Sequence, residues 1–156
     1  MRHEGERTPI GITLWETTQL VMRAFDKVLA EHGGNRPVWF VFLALDDGGH
    51  HTQRQLAQAI GIREATLTHH LTTLERRGLV ARRRDPDDRR VQRIEFTPEG
   101  LRTFEAMKDA AIAYEQRVRG ALGDEGVRAL RAGLNALADA VRDPADAAVQ
   151  LPLDEA

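Results

Sequence analysis

Apolar residues recur at three- and four-residue steps over 12–32: Leu14, Val21, Phe25, Val28 and Leu29, with Thr18 on the same line. That spacing predicts an amphipathic helix, and Gly33-Gly34 ends it. A second helix is expected from near Asn35, with Pro37 in its first turn. It runs through Trp39, Phe40, Val41, Phe42, Leu43 and Leu45 to a stop at Gly48-Gly49. Being apolar nearly all round, it is expected to be buried. Thr52-Gln53-Arg54-Gln55 reads as a capping box, the Thr52 hydroxyl capping an early amide while Gln55 reaches back. A short helix over 53–60 follows. Gly61 breaks it, and a helix over 64–77 carries Leu67, Leu71 and Leu74 on one face, with Gly78 as its stop. Two short helices joined through Ile60-Gly61-Ile62-Arg63 have the proportions of a helix-turn-helix.

The segments 79–84 and 91–96 are short and strand-compatible, separated by the turn cluster Asp85-Pro86-Asp87-Asp88, so they predict a β-hairpin with a charged tip. Thr97-Pro98-Glu99 supplies an N-cap, a Pro at the first helical position and an early acid. A long helix is therefore expected from 98 to about 122, along Leu101, Phe104, Met107, Ala111, Val118 and Leu122. After Gly123-Asp124 a last helix carries Val127, Leu130, Leu134, Leu137 and Val141, alternating three and four residues like a coiled-coil seam. Asp143-Pro144 ends it, and the segment 144–156 is expected to be a mobile tail. The fold class is mainly α with a small β-hairpin.

Length and composition agree with one globular domain: 156 residues, 42% hydrophobic and 29% charged, which excludes a disordered tail protein. The absence of cysteine removes thiol nucleophiles, cysteine-ligated zinc and disulfide switches. No apolar run approaches the roughly 18 residues of a membrane span, and the N-terminal MRHEGERTPIG has no apolar signal core. A cytoplasmic location is expected.

Net charge, −2 overall, becomes informative once divided along the chain. Over 75–93 eight arginines face four acidic residues, a local charge of +4 that leaves −6 for the rest. If Leu67, Leu71 and Leu74 face the body, a turn of 100° per residue puts Ala65, His69, Thr72, Thr73 and Arg76 on the opposite face, flanked by Thr66 and Thr68. These side chains are small or hydrogen-bonding, as a helix entering a major groove about 12 Å wide requires. Arg82 and Arg84 share one face of the first strand and are expected to contact phosphates. Arg89 and Arg90 follow the hairpin turn, where a guanidinium can enter a minor groove.

The stretch Gln55-Leu56-Ala57, Ile60-Gly61-Ile62, Leu67-Thr68, Leu74-Glu75-Arg76-Arg77-Gly78-Leu79-Val80, Arg82, Asp85-Pro86-Asp87-Asp88-Arg89-Arg90 and Phe96-Thr97-Pro98-Glu99-Gly100 resembles the MarR family of bacterial transcription regulators. The motif covers about a third of the chain. The resemblance implies a winged helix-turn-helix DNA-binding lobe over 35–97 and dimerisation helices over 10–34 and 98–143, in a homodimer bound to double-stranded DNA. It points to Arg90 as the minor-groove residue, held by Asp88; Thr52 and Gln53 are further candidate DNA contacts, and Arg63 is one through the phosphate-reaching charge it adds. Two departures stand out. Arg63 occupies the recognition helix's N-cap, where the family often has Ser, Thr or Asp, and His69 stands where the family usually carries Arg, so the base it would read is not carried over.

The resemblance also implies a small-molecule effector in the crevice between the DNA-binding lobe and the long helices. Trp15, Gln19, Arg23, Trp39, Phe42 and His70 are the candidates for it, although Trp39 and Phe42 read first as core and His70 first as a packing residue. The expected activity is repression, with an aromatic or amphipathic effector releasing an inverted-repeat operator. The alternatives are an effector-independent regulator and a zinc-responsive one. Adjacent pairs such as His69-His70 chelate poorly, because neighbours on a helix point about 100° apart, and no metal or cofactor is expected. No HExxH, GxSxG or glycine-rich phosphate loop supports an enzyme, and a coiled-coil module would leave the arginine-rich hairpin unexplained.

Overall fold

A computed structural model describes residues 8–48 and 52–142. The expected tail over 144–156 and the stop at Asp143-Pro144 lie outside the described residues. The element order is α1 (Ile10–Glu31), α2 (Arg36–Asp46), α3 (Gln53–Ile60), α4 (Glu64–Arg76), β1 (Val80–Arg84), β2 (Gln92–Phe96) and α5 (Pro98–Val141). The two C-terminal helices expected from the sequence appear as one element, interrupted where the sequence breaks: Gly123 has φ 67° and ψ 168°, non-helical inside α5.

The local signals act as their chemistry requires. Asn35 caps α2, its side chain accepting from the Val38 amide at 3.0 Å, and Pro37 occupies the first turn, where no amide is needed. Thr52 and Gln55 form the reciprocal capping box of α3. Thr97 caps α5 by accepting from the Gly100 amide at 3.0 Å.

The core lies between α2, the α3–α4 pair, the hairpin and the first half of α5. Phe42, Leu56, Leu67, Leu71, Leu74, Ile94, Phe104 and Met107 are all essentially inaccessible. Three rings knit the hairpin to both lobes: Phe42, Phe96 and Phe104 lie 5.1–5.8 Å apart, centre to centre. Trp39 adds a fourth ring, 5.8 Å from Phe104. Only the second half of α1 joins this body. Leu29 is buried, Phe25 packs on Trp39 and Tyr114, and the Tyr114 hydroxyl donates to the Val21 carbonyl at 2.8 Å.

The first half of α1 and the second half of α5 instead present apolar side chains to solvent. Ile10, Leu14 and Trp15 are exposed, as are Leu130, Leu134, Leu137 and Val141. Ile10, Leu14, Leu134, Leu137 and Val141 line one apolar cleft of about 340 Å³. Among the described residues no helix is long and apolar enough to cross a membrane.

Candidate nucleic-acid interface

The turn between α3 and α4 depends on Gly61, whose φ of 79° is left-handed and open to glycine at no steric cost. The Gly61 and Ile62 amides both return to the Ala57 carbonyl, at 2.9 and 3.0 Å. α4 then packs through Leu67, Leu71 and Leu74, and its opposite face is open. Ala65, Thr68, His69, Thr72 and Arg76 are exposed, Thr66 and Thr73 half-buried. Arg63 is the N-cap residue and its side chain makes no capping bond, which leaves an exposed guanidinium at the helix entrance.

The exposed threonines are ordered. Thr68 Oγ1 donates to the Glu64 carbonyl at 2.8 Å, and Thr72 Oγ1 to the Thr68 carbonyl at 2.9 Å. Gln53, at the start of α3, donates from Nε2 to Thr68 Oγ1 at 2.7 Å and to the Glu64 carbonyl at 3.3 Å. Gln53 and Thr68 therefore act together, one side chain setting the other. Thr52 is committed to its capping box.

In the hairpin β1 and β2 are antiparallel, in the register Val80↔Phe96 to Arg84↔Gln92. Arg82 and Arg84 share a face, as expected, but their environments differ. Arg82 is held by Glu75 near the end of α4, Nε to Oε1 3.1 Å with both side chains 31% exposed, so the expected phosphate contact from Arg82 competes with an internal ion pair. Arg84, Arg89 and Arg90 are exposed. Asp88 holds Arg90 through the backbone: Asp88 Oδ1 accepts from the Arg90 amide at 3.0 Å. That fixes the position of Arg90 and leaves its guanidinium to reach outward.

The sequence reading missed Asp85. Of the described residues it is the one charged group in the buried class. Its Oδ1 accepts from the Asp87 and Asp88 amides at 2.8 and 3.1 Å, and its Oδ2 from Arg93 Nε. The Asp88 and Asp87 amides, followed by Arg93, hold its carboxyl below the ordinary carboxylate range. An Asp opening a turn signals a side-chain cap to the backbone, but reaching Arg93 depends on strand register.

The effector candidates do not converge. Trp39 lines a cleft of about 360 Å³ with Leu43, Lys108, Ala111, Ile112, Glu115 and Gln116. Trp15, Gln19, Arg23, Phe42 and His70 are not among its walls. Phe42 is 0% exposed within the ring cluster, which corrects its reading as an effector contact: it is core. Trp15, Gln19 and Arg23 are exposed on α1, and His70 is half-buried with its ring 6.0 Å from that of His69. Lys108, absent from the sequence reading, stands 3.0 Å from Asp46 and over the Phe104 ring. Among the described residues no cluster of three His, Cys, Asp or Glu could hold a metal ion.

Two short helices around a left-handed glycine, an open recognition face and an arginine-bearing hairpin define a winged helix-turn-helix protein. The MarR family model matches residues 35–91. The HTH-type transcriptional regulator YdgJ of Bacillus subtilis (strain 168) is 37% identical over 57 residues, which span 36% of this chain and 35% of YdgJ. The chain thus matches about a third of that relative's length. Likeness to solved structures extends further. The transcriptional repressor CouR bound to a 23-mer DNA duplex is 27% identical, with a TM-score of 0.71 over 88% of this chain and 98% of that one. CouR from Rhodococcus jostii RHA1 bound to p-coumaroyl-CoA is 28% identical, with a TM-score of 0.65 over 89% and 95%. Residues 35–91 thus carry the likeness to the MarR family.

Proposed function

We propose that this chain is a homodimeric, sequence-specific DNA-binding transcription regulator that represses from an inverted-repeat operator and is released by a small aromatic or amphipathic effector. The observation that carries the reading is the open polar face of α4 beside a wing whose Arg84, Arg89 and Arg90 are exposed. Thr66, Thr68, His69, Thr72 and Thr73 face base edges, with Ala65 allowing close approach. Arg63, Arg76 and Arg84 take phosphates, and Arg90, set by Asp88 and accompanied by Arg89, enters the minor groove. Gln53 acts through Thr68, while Thr52 orders the start of α3. A likeness to CouR bound to a DNA duplex supports this.

The dimer follows from the apolar side chains left exposed on α1 and the end of α5, which a second copy related by a two-fold axis would cover. Recognition helices in such a dimer meet successive major grooves about 34 Å apart, so the operator is a short inverted repeat. The effector reading rests on the Trp39 cleft, within the size range of small-molecule sites, and on the likeness to CouR bound to p-coumaroyl-CoA. Lys108 at its wall, paired with Asp46, supplies a cation that a ligand carboxylate would share or take over. An effector preferring a dimer with the wrong half-site spacing needs a coupling of about 1–3 kcal/mol to release DNA roughly 5- to 150-fold.

Fluorescence anisotropy on DNA from the region upstream of the chain's own gene, against scrambled DNA and with a panel of aromatic acids and acyl-CoA thioesters, tests the proposal. Binding at two protomers per site, weakened by one of these ligands, is the expected result. Specific binding indifferent to every ligand refutes the effector arm, and equal affinity for scrambled DNA at every salt concentration refutes the operator.

A further inference from the structure

We propose that Asp85 is a positioning residue for DNA binding: clasped between two turn amides and Arg93, its carboxylate pre-forms the wing tip that carries Arg89 and Arg90. The inference rests on the DNA-binding reading above.

Hairpin tips are ordinarily solvated, and carboxylates are seldom buried unless paired and hydrogen-bonded. Asp85 is 6% exposed at such a tip, and its two oxygens do different work. Oδ1 gathers the amides of Asp87 and Asp88, bending the chain back at the turn. Oδ2 crosses to Arg93 on β2. The strand register ends at Arg84↔Gln92, followed by the Asp85 amide to the Val91 carbonyl at 2.9 Å. Beyond that point the tip is held by Asp85, by Asp88 Oδ1 on the Arg90 amide and by the Val91 amide on the Asp88 carbonyl. A two-stranded ribbon alone orders its tip poorly.

The clasp also settles a charge conflict. Arg83 and Arg93 are direct cross-strand partners, an arrangement that repels. Glu95 takes Arg83 at 3.3 Å and Asp85 takes Arg93. The basic field of the wing is thereby confined to the tip arginines and Arg84. A tip ordered in advance spares binding the cost of immobilising two long side chains and the loop beneath them. An Asn at position 85 could still accept from the turn amides, but its NH2 would confront the Arg93 donors, so D85N separates the cross-strand arm from the turn.

The experiment uses a duplex that the full-length wild-type protein selects from a randomised pool, and compares wild type, D85N, R93Q and R90A. D85N and R93Q are each expected to bind about tenfold more weakly, the order of one or two side chains newly immobilised on binding. The slope of log K against log salt should fall by about one as a cation contact is lost. Asp87 and Asp88 amides, bound to a weaker neutral acceptor in D85N or to a carboxylate no longer pinned in R93Q, should exchange faster, while the melting temperature falls only slightly and sedimentation stays as in wild type. Wild-type affinity and salt slope in D85N and R93Q, with R90A weakened, overturn the positioning role alone. An affinity loss that merely tracks a fall in melting temperature also overturns it. Full affinity in R90A refutes the wing reading and Asp85 with it, and a pool that yields no selected duplex refutes DNA binding itself.

Discussion

Gly100→Ala concentrates the fold's tightest backbone contact into one methyl group. A Cβ at Gly100 would stand 1.8 Å from the Leu79 carbonyl oxygen and 2.7 Å from its carbon, and neither atom belongs to a side chain that can swing away. The first turn of α5 must therefore move off the base of the hairpin. Two hydrogen bonds cross that junction, the Thr97 amide to the Leu79 carbonyl at 3.1 Å and Thr97 Oγ1 to the Gly78 carbonyl at 2.6 Å, and a third, the Gly100 amide to Thr97 Oγ1 at 3.0 Å, caps the helix there. At about 1 kcal/mol each they total roughly 3 kcal/mol, and loosened packing of Phe104 one turn on adds to it. The better helix propensity of Ala returns about 1 kcal/mol, leaving roughly 2–3 kcal/mol of destabilisation. For a chain of this length that lowers the melting temperature by about 4–12 °C. Thermal denaturation by circular dichroism at fixed protein concentration measures it. Gly120→Ala, on the same helix with open space around its Cβ, should be neutral or slightly stabilising. Equal melting temperatures for the two variants would refute the close-approach argument.

Acidification should open the wing late. Asp85 has a folded-state pKa below its unfolded value, so its stabilisation is complete above the ordinary carboxylate value of about 3.9 and lost as pH falls through the lower one. The Asp87 and Asp88 amide resonances should titrate with a midpoint below that value, and a midpoint at or above it contradicts the clasp. Replacing Leu134 and Leu137 by Glu, two copies of each per dimer, removes several partly exposed leucines from the proposed interface. With burial worth about 1.5–3 kcal/mol per full side chain, the dissociation constant should rise roughly 100-fold or more. Sedimentation velocity unchanged at micromolar protein would refute the proposed seam. Arg90→Ala should weaken all duplexes alike and lower the salt slope by about one, and an unaltered slope would remove Arg90 from the contact.

Where local chemistry decides, the sequence was enough. The α3 capping box, the left-handed Gly61, the Thr97 cap and the break at Gly123 all carry their own signals, and the element order follows from them. Periodicity also identified the open face of α4. It could not distinguish the half of α1 that packs within the protomer from the half left exposed, because both are apolar at the same spacing. Relations across the chain were hidden for a similar reason. Arg82 meeting Glu75, Arg93 meeting Asp85 and Gln53 meeting Thr68 depend on how neighbouring elements dock. Phe42 and Trp39 have the same aromatic character in sequence and both pack in the core, and only packing leaves Trp39 an edge on the cleft as well.

Hydroxyl-radical footprinting of the wild-type protein on its selected duplex reads the paired recognition helices and the wing arginine in one experiment. Two protected patches centred about 34 Å apart on one face of the DNA are expected, with added minor-groove protection outside each that disappears in R90A. A single patch, no protection above that on scrambled DNA, or flanking protection that survives R90A would contradict this binding mode.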